Sequence, residues 1–176
     1  MYHSGIPSPN NSLCLNTTEV AFNFFPSVGD DTFGLANSTT TGQSSGASGQ
    51  DIVAYCWTEI EGFSKFGSYT GNGSADGVFV FTGFRPALVI IKRTDTTSSW
   101  AIFDSSRDSA NPVERLLRAE SSNAEATMTS LVSNPFGDFL SNGFKVRNTS
   151  TIDNTSGSSY IFMAFAESPF KTANAK

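Results

Sequence analysis

The residues able to do chemistry are few and thinly spread. Two carboxylate pairs, Glu59 with Glu61 and Asp104 with Asp108, have the groups needed to flank a glycosidic bond. Proximity in sequence does not set their separation, and Glu59 has a counterpart in Glu167 at the end of a second apolar stretch. A residue that recurs in this way reads as structural. Nucleophilic catalysis has one histidine to draw on, His3, near the chain start, where it is expected to be mobile. Cys14 and Cys56 permit one disulfide at most. Each lies among apolar neighbours and reads as a small buried hydrophobe, with no spacing suited to zinc. No enzymatic activity, cofactor or metal is expected.

The stretch "GSYTGNGSADG" at 67–77 is the most suggestive loop. A phosphate cradle would need GxxxxGK[ST], or GxGxxG opening a helix. Here the glycines lead into "VFVFTGF", which reads as a strand, and no lysine follows them. For calcium, Asn72, Ser74, Asp76 and Gly77 place oxygens at alternate positions, but the twelfth position, where a bidentate acid belongs, is Gly83. A turn between strands explains the stretch without a ligand. Trp57, Trp100, Tyr69 and Tyr160 could stack on sugar rings, with the polar turns bonding to hydroxyls. Core packing is the preferred reading of these rings, since Trp57 and Tyr160 sit in apolar runs and Trp100 precedes "AIF". The candidate ligand contacts are therefore Trp57, Tyr69, Asn72, Asp76 and Trp100. Lys92 and Arg93 mark where an apolar strand is expected to reach water.

These residues need elements to hold them, and composition says which kind. Charged residues make up 15% of the 176-residue chain, and its polar surface is Ser, Thr, Asn and Gly; with 16 Phe, it is not a disordered composition. Abundant Phe and Gly point to many short strands and turns. A net charge of −5 argues against nucleic acid as a partner. No apolar run approaches the roughly 20 residues of a membrane span, and no leader pattern opens the chain. The alternating or apolar stretches "GVFVFTGF", "PALVIIKRT", "SSWAIFDS", "GFKVRN" and "SSYIFMAFAE" predict strands, the second buried on both faces. "SLCLN", "TFGLAN" and "DIVAYCWTEI" predict three more. "NPVERLLRAESSNAEA" could start a helix capped by Asn111, but a strand and turn over "ERLLRAE" is preferred. The expected fold is all-β, a β-sandwich of the jelly-roll or lectin-like kind.

An internal repeat is expected as well. Phe33, Leu35 and Asn37 align with Phe144, Val146 and Asn148, each Asn is followed nine residues later by Gly46 or Gly157, and each copy closes on Glu59 or Glu167. The expected organisation is a partial N-terminal repeat at 1–65 and a complete module at 66–176. The partial copy lacks counterparts of "VFVFTGF" and "PALVIIKRT", which would leave strand edges unpaired. Completion by assembly, most naturally a homotrimer, is preferred over one shared sheet system or a longer parent chain.

The landmarks "YTGNG" from Tyr69, "GFRPALVIIKR" from Gly83, "WAIFDSSR" from Trp100, "NAEA" from Asn123, "SNGFKV" from Ser141 and "NTSGSSYIFMAFAE" from Asn154 form an ordered set. On them the chain resembles a module of unknown function found, often in tandem, in virion proteins of tailed bacteriophages, notably marine ones. "TIDNTSG" and "DIVAYCW" vary where that family also varies. The resemblance implies a structural, non-enzymatic viral protein of the tail fibre or its surroundings, placed on the virion, with other virion proteins as partners and a host-surface glycan as a receptor it could contact in host attachment. It implies no catalytic or binding residues. A carbohydrate-binding module and a capsid decoration protein are the alternatives.

Overall fold

The computed structural model describes residues 1–6, 11–23, 27–29, 31–34 and 53–169. Near the start, β1 (Asn11–Ser12) pairs with β2 (Phe22–Asn23). Then come β3 (Ser64–Thr70), β4 (Phe79–Phe81), β5 (Pro86–Arg93) and β6 (Trp100–Asp104). A short pair, β7 (Arg115–Leu116) and β8 (Ala126–Thr127), leads into the five-residue helix α1 (Met128–Val132). The chain continues through β9 (Gly137–Leu140), β10 (Gly143–Val146) and β11 (Ser159–Ala166). The protein is all-β, as its composition predicts.

Two antiparallel sheets carry the structure: one of four strands in the order β3-β11-β5-β6, the other of three in the order β4-β10-β9. Their facing sides share one core. Tyr69, Tyr160, Phe162, Val89, Ile91 and Phe103 come from the first sheet, and Val80, Phe139, Phe144 and Val146 from the second. Phe136 lies between them, its ring stacked on Phe103 at 3.9 Å and 8°. Each such fully buried side chain stabilises the fold by roughly 1.5–3 kcal/mol relative to exposure. Alternation along the strands sends Trp100, Ile161, Ile90 and Met163 to the opposite face. There they meet Ile6, Leu13, Met1 and Ala21, so the N-terminal segment covers the back of the four-stranded sheet. This is why β5 is apolar from Pro86 to Ile91: it has a sheet on one side and a strap on the other.

The strap also explains two corrections. Lys92 does not reach water. It is fully buried, and its ammonium donates to the carbonyls of Arg93 (2.8 Å) and Thr18 (3.4 Å). Burial pushes its pKa down to about 8, opposed by the nearby Glu120 charge. His3 is not at a loose chain end: it is buried, with Nε2 2.9 Å from the Phe162 carbonyl.

The N-terminal third departs most from expectation. "SLCLN" contributes only Ser12 to a strand, and of "TFGLAN" the described part has a single bridge, Val28 to Phe33. In "DIVAYCWTEI" the described residues 53–60 form no strand beyond a bridge from Ile60 to Ser64. Val53, Tyr55 and Trp57 are 76%, 77% and 62% exposed, so Trp57 is not a core residue, and Cys56 is exposed rather than buried. The β3 edge is open beside this run, but side chains take the backbone groups of the next rung: Ser64 Oγ donates to the Thr58 carbonyl, and Glu59 accepts the Phe66 N–H. Phe33 is 45% exposed whereas Phe144 is fully buried. Leu35, Asn37, Gly46 and Ile52 lie outside the described residues. In the second half, "ERLLRAE" holds β7, as preferred over a helix. Asn111 caps no helix but brackets Phe139, donating to its carbonyl (3.0 Å) and accepting its N–H (2.9 Å).

Candidate functional site

Residues 71–77 form a turn built from both ends. Within it, Asn72 Oδ1 accepts the Ser74 N–H, Ser74 Oγ accepts the Asp76 N–H, and Asn72 Nδ2 donates to the Asp76 carbonyl. From outside, the buried Asn154 locks it. The Asn154 Oδ1 accepts the Asn72 N–H at 3.0 Å, and its Nδ2 faces Asn72 Oδ1 (3.1 Å), the Ser74 carbonyl (2.9 Å) and the Asn148 carbonyl (2.6 Å). Backbone bonds from Gly71 to Ser158, Gly157 to Gly71 and Gly73 to Asn154 complete the seam. Gly71 is required by closeness: a Cβ there would stand 2.3 Å from the Thr155 carbonyl oxygen. Gly73 is required by its φ of +64°.

Oxygens committed to these bonds are poorly placed to hold calcium. Asp76 is ion-paired with Lys145 at 2.6 Å, which holds its carboxyl below the usual range. Among the described residues no three His, Cys, Asp or Glu side chains gather to hold a metal. A calcium chelator is therefore expected to leave the thermal midpoint unchanged. Loss of a site saturated at 100 times its dissociation constant would remove about 2.7 kcal/mol and show as a clear drop.

Three of the four paired carboxylates, Glu59, Asp104 and Asp108, are committed to bonds within the protein. Asp104 binds Arg107 and accepts the Ser106 and Arg107 N–H groups. Burial works against its charge, yet these bonds hold its pKa below the ordinary value. Arg107 also reaches Glu125 (3.0 Å), and Glu125 reaches Arg115 (2.8 Å), so both arginines depress the Glu125 carboxyl. Asp108 accepts the N–H groups of Glu114 and Arg115. Glu59 pairs with Lys65 at 2.6 Å and accepts the Phe66 N–H at 3.2 Å.

The five candidate contact residues do not form one site. Asn72 and Asp76 share the turn. Tyr69 lies beneath it, with its ring in the core stacked on Tyr160 at 5.1 Å and its hydroxyl donating to the Asp153 carbonyl (2.6 Å). Trp100 is fully buried behind the other face of the sheet, and its indole donates to the Cys14 carbonyl at 2.9 Å. Buried rings cannot stack on a ligand, so Tyr69 and Trp100 are removed from the candidates. Trp57 alone keeps an accessible ring, 6.2 Å from that of Tyr55 and inclined by 27°.

Sequence reasoning missed a concave place on the surface. A groove of about 370 Å³ opens where edge strand β3 faces edge strand β4, lined by Lys65–Tyr69, Phe79–Phe81 and Phe162. Phe79 and Phe81 are 43% and 63% exposed beside it. The signal available was the apolar alternation in "VFVF", which gives both faces of β4 large side chains. Asp153, buried with one carboxylate oxygen unpartnered, was missed too.

Residues 1–169 match the model of a protein family described as a domain of unknown function (DUF7483), and the chain belongs to that family. The single match runs across the boundary expected at residues 65 and 66. No curated protein and no solved structure matches the chain.

Proposed function

We propose that this DUF7483 chain is a non-enzymatic structural component of a phage virion, in or beside the tail fibre, presenting a β-sandwich module at the particle surface. The observation that supports this reading is what the landmark motifs do in the fold. "YTGNG" and "NTSG" are joined by the Asn72–Asn154 lock, and "FDSSR" and "NAEA" by Asp104, Arg107 and Glu125. The Trp of "WAIF" fastens the N-terminal strap through Cys14. The motifs that carry the resemblance hold a scaffold together.

Assembly with further copies, as a homotrimer, belongs to the proposal, since strands β3 and β4 leave sheet edges open. Immunogold labelling of purified particles with an antibody to this chain tests the location. Label at the tail is expected; label on the capsid, or none, would overturn the tail assignment. Light scattering at micromolar concentration tests assembly, and a stable monomer would end the trimer reading.

A further inference from the structure

The groove between β3 and β4 and the bare segment ahead of β3 are complementary in register. Ile60 and Ser64 exchange both backbone hydrogen bonds, Ile60 N–H to Ser64 (3.2 Å) and Ser64 N–H to Ile60 (3.0 Å), around a turn in which Gly62 has φ +73°. That is the first rung of an antiparallel hairpin. Continued outward, the register puts Glu59 opposite Lys65, where the ion pair of 2.6 Å already joins them. The next rungs would set Thr58 opposite Phe66, Cys56 opposite Ser68 and Ala54 opposite Thr70. The β3 backbone is prepared for this. Gly71 donates to Ser158 and Phe63 accepts from Ala166, so alternation turns the N–H and C=O groups of Phe66, Ser68 and Thr70 away from β11.

Residues opposite each other in an antiparallel pair point to the same face. Tyr69 and Gly67 face the core side, so Tyr55 and Trp57 would face it as well, over the groove. Trp57 would fall opposite Gly67, where the ring of Phe162 forms the wall; a Cβ on Gly67 would lie 2.9 Å from that ring. Two side-chain bonds stand where the second rung belongs: Ser64 Oγ donates to the Thr58 carbonyl (2.8 Å), and Glu59 Oε1 takes the Phe66 N–H (3.2 Å). They hold the hairpin open at that rung.

We infer that residues 53–58 are a detachable edge strand of the four-stranded sheet, and that the β3–β4 groove is its docking site, filled by Tyr55 and Trp57 of the same chain. The same chain is the occupant because its turn and first rung already hold the strand beside the groove in the correct register. Docking fills the groove that Phe79 and Phe81 border and occupies the β3 edge, which undocked is free to pair with other chains. The inference does not depend on the virion assignment.

Native Cys56 supplies the test. In the docked register it opposes Ser68, an exposed position at a separation a disulfide can span. Under mild oxidation the Ser68→Cys variant is expected to form an intramolecular disulfide between Cys56 and the thiol introduced at position 68, located by peptide mass mapping. Thr70→Cys, two residues out of register, should react roughly tenfold more slowly, because diagonal neighbours lie about 7–8 Å apart. Equal rates at the two positions, or no bond at position 68, would overturn the proposal; a bond joining two copies would overturn its choice of occupant. In the unmodified protein the Ser68 and Thr70 amides should be protected from hydrogen exchange. Exchange there as fast as in an unpaired segment would overturn it independently.

Discussion

Replacing Asn154 with alanine is expected to lower stability by roughly 3–5 kcal/mol, one of the largest losses available to a single polar substitution in this fold. For a chain of this length that is a fall in the thermal midpoint on the order of 10 °C. The side chain is fully buried and serves the Asn72 N–H and Oδ1, the Ser74 carbonyl and the Asn148 carbonyl. Alanine removes those bonds and leaves buried groups without partners, which costs more than a bond contributes when both partners are lost together. The structure cannot collapse onto the gap, because Gly71 and Gly77 already bring backbones to contact: a Cβ on Gly77 would sit 2.4 Å from the Val146 carbonyl oxygen. Asn154→Asp should be about as harmful, since it keeps the acceptor but loses the donors. Thermal unfolding of both variants checks this, and a loss below about 1 kcal/mol would mean that the lock is an ordinary surface turn.

The sheets were legible where the sequence alternates or runs apolar between turn residues. β5, β6, β10 and β11 fall inside the predicted stretches because their patterns reflect burial that any sandwich would impose. β3 and β9 were not foreseen, and glycine is the reason. In "SKFGSYT" the core-facing place beside Tyr69 is Gly67, vacated for the ring of Phe162. In "GDFL" Gly137 is vacated for the Lys145 carbonyl, which would come 2.0 Å from a Cβ. A strand that receives its neighbour's atoms shows no alternation of its own. Lys92 misled for the opposite reason. Its charge suggests water, whereas its burial depends on the Thr18 carbonyl, 74 residues away.

At the candidate site, the turn at 71–77 could be read from its own glycines and short polar residues, because turn chemistry is local. Its lock could not: Asn154 lies 82 residues from Asn72 and looks like any other Asn in a polar loop. The apolar run ending in Trp57 read as a strand, and its composition still does; what the structure adds is that its backbone pairing with β3 stops at Ile60. Pattern reports what a segment could bury, and only the partner decides whether it does.

Lowering the pH from 8 to 5 is expected to stabilise this protein through Asp153, against the usual behaviour of carboxylates. The residue is fully buried. Burial raises its pKa to about 7, and the bond from Asn148 Nδ2 to Oδ2 (3.1 Å) only partly offsets that. The Ser150 hydroxyl also favours the charged form, but Oδ1 has no partner in hydrogen-bond geometry. The folded state therefore holds a proton that the unfolded chain releases near its ordinary value of 3.8. A carboxyl raised in this way gives its full stability below the unfolded pKa and loses it as pH climbs through the folded one. Between pH 5 and pH 7 the loss is roughly 2 kcal/mol, from a slope of about 1.36 kcal/mol per unit that flattens near the folded pKa, and above pH 7 it levels off. His3, whose pKa is lowered by burial, works in the opposite direction up to its ordinary value of 6.5. Comparison with Asp153→Asn isolates the carboxyl. Asparagine keeps an acceptor for Asn148 and carries no charge at any pH, so its midpoint at pH 8 should exceed that of the unmodified protein. The gap should close as the pH approaches 5. Equal midpoints at pH 8, or a gap that stays constant from pH 5 to 8, would show that Asp153 is not protonated in the folded protein.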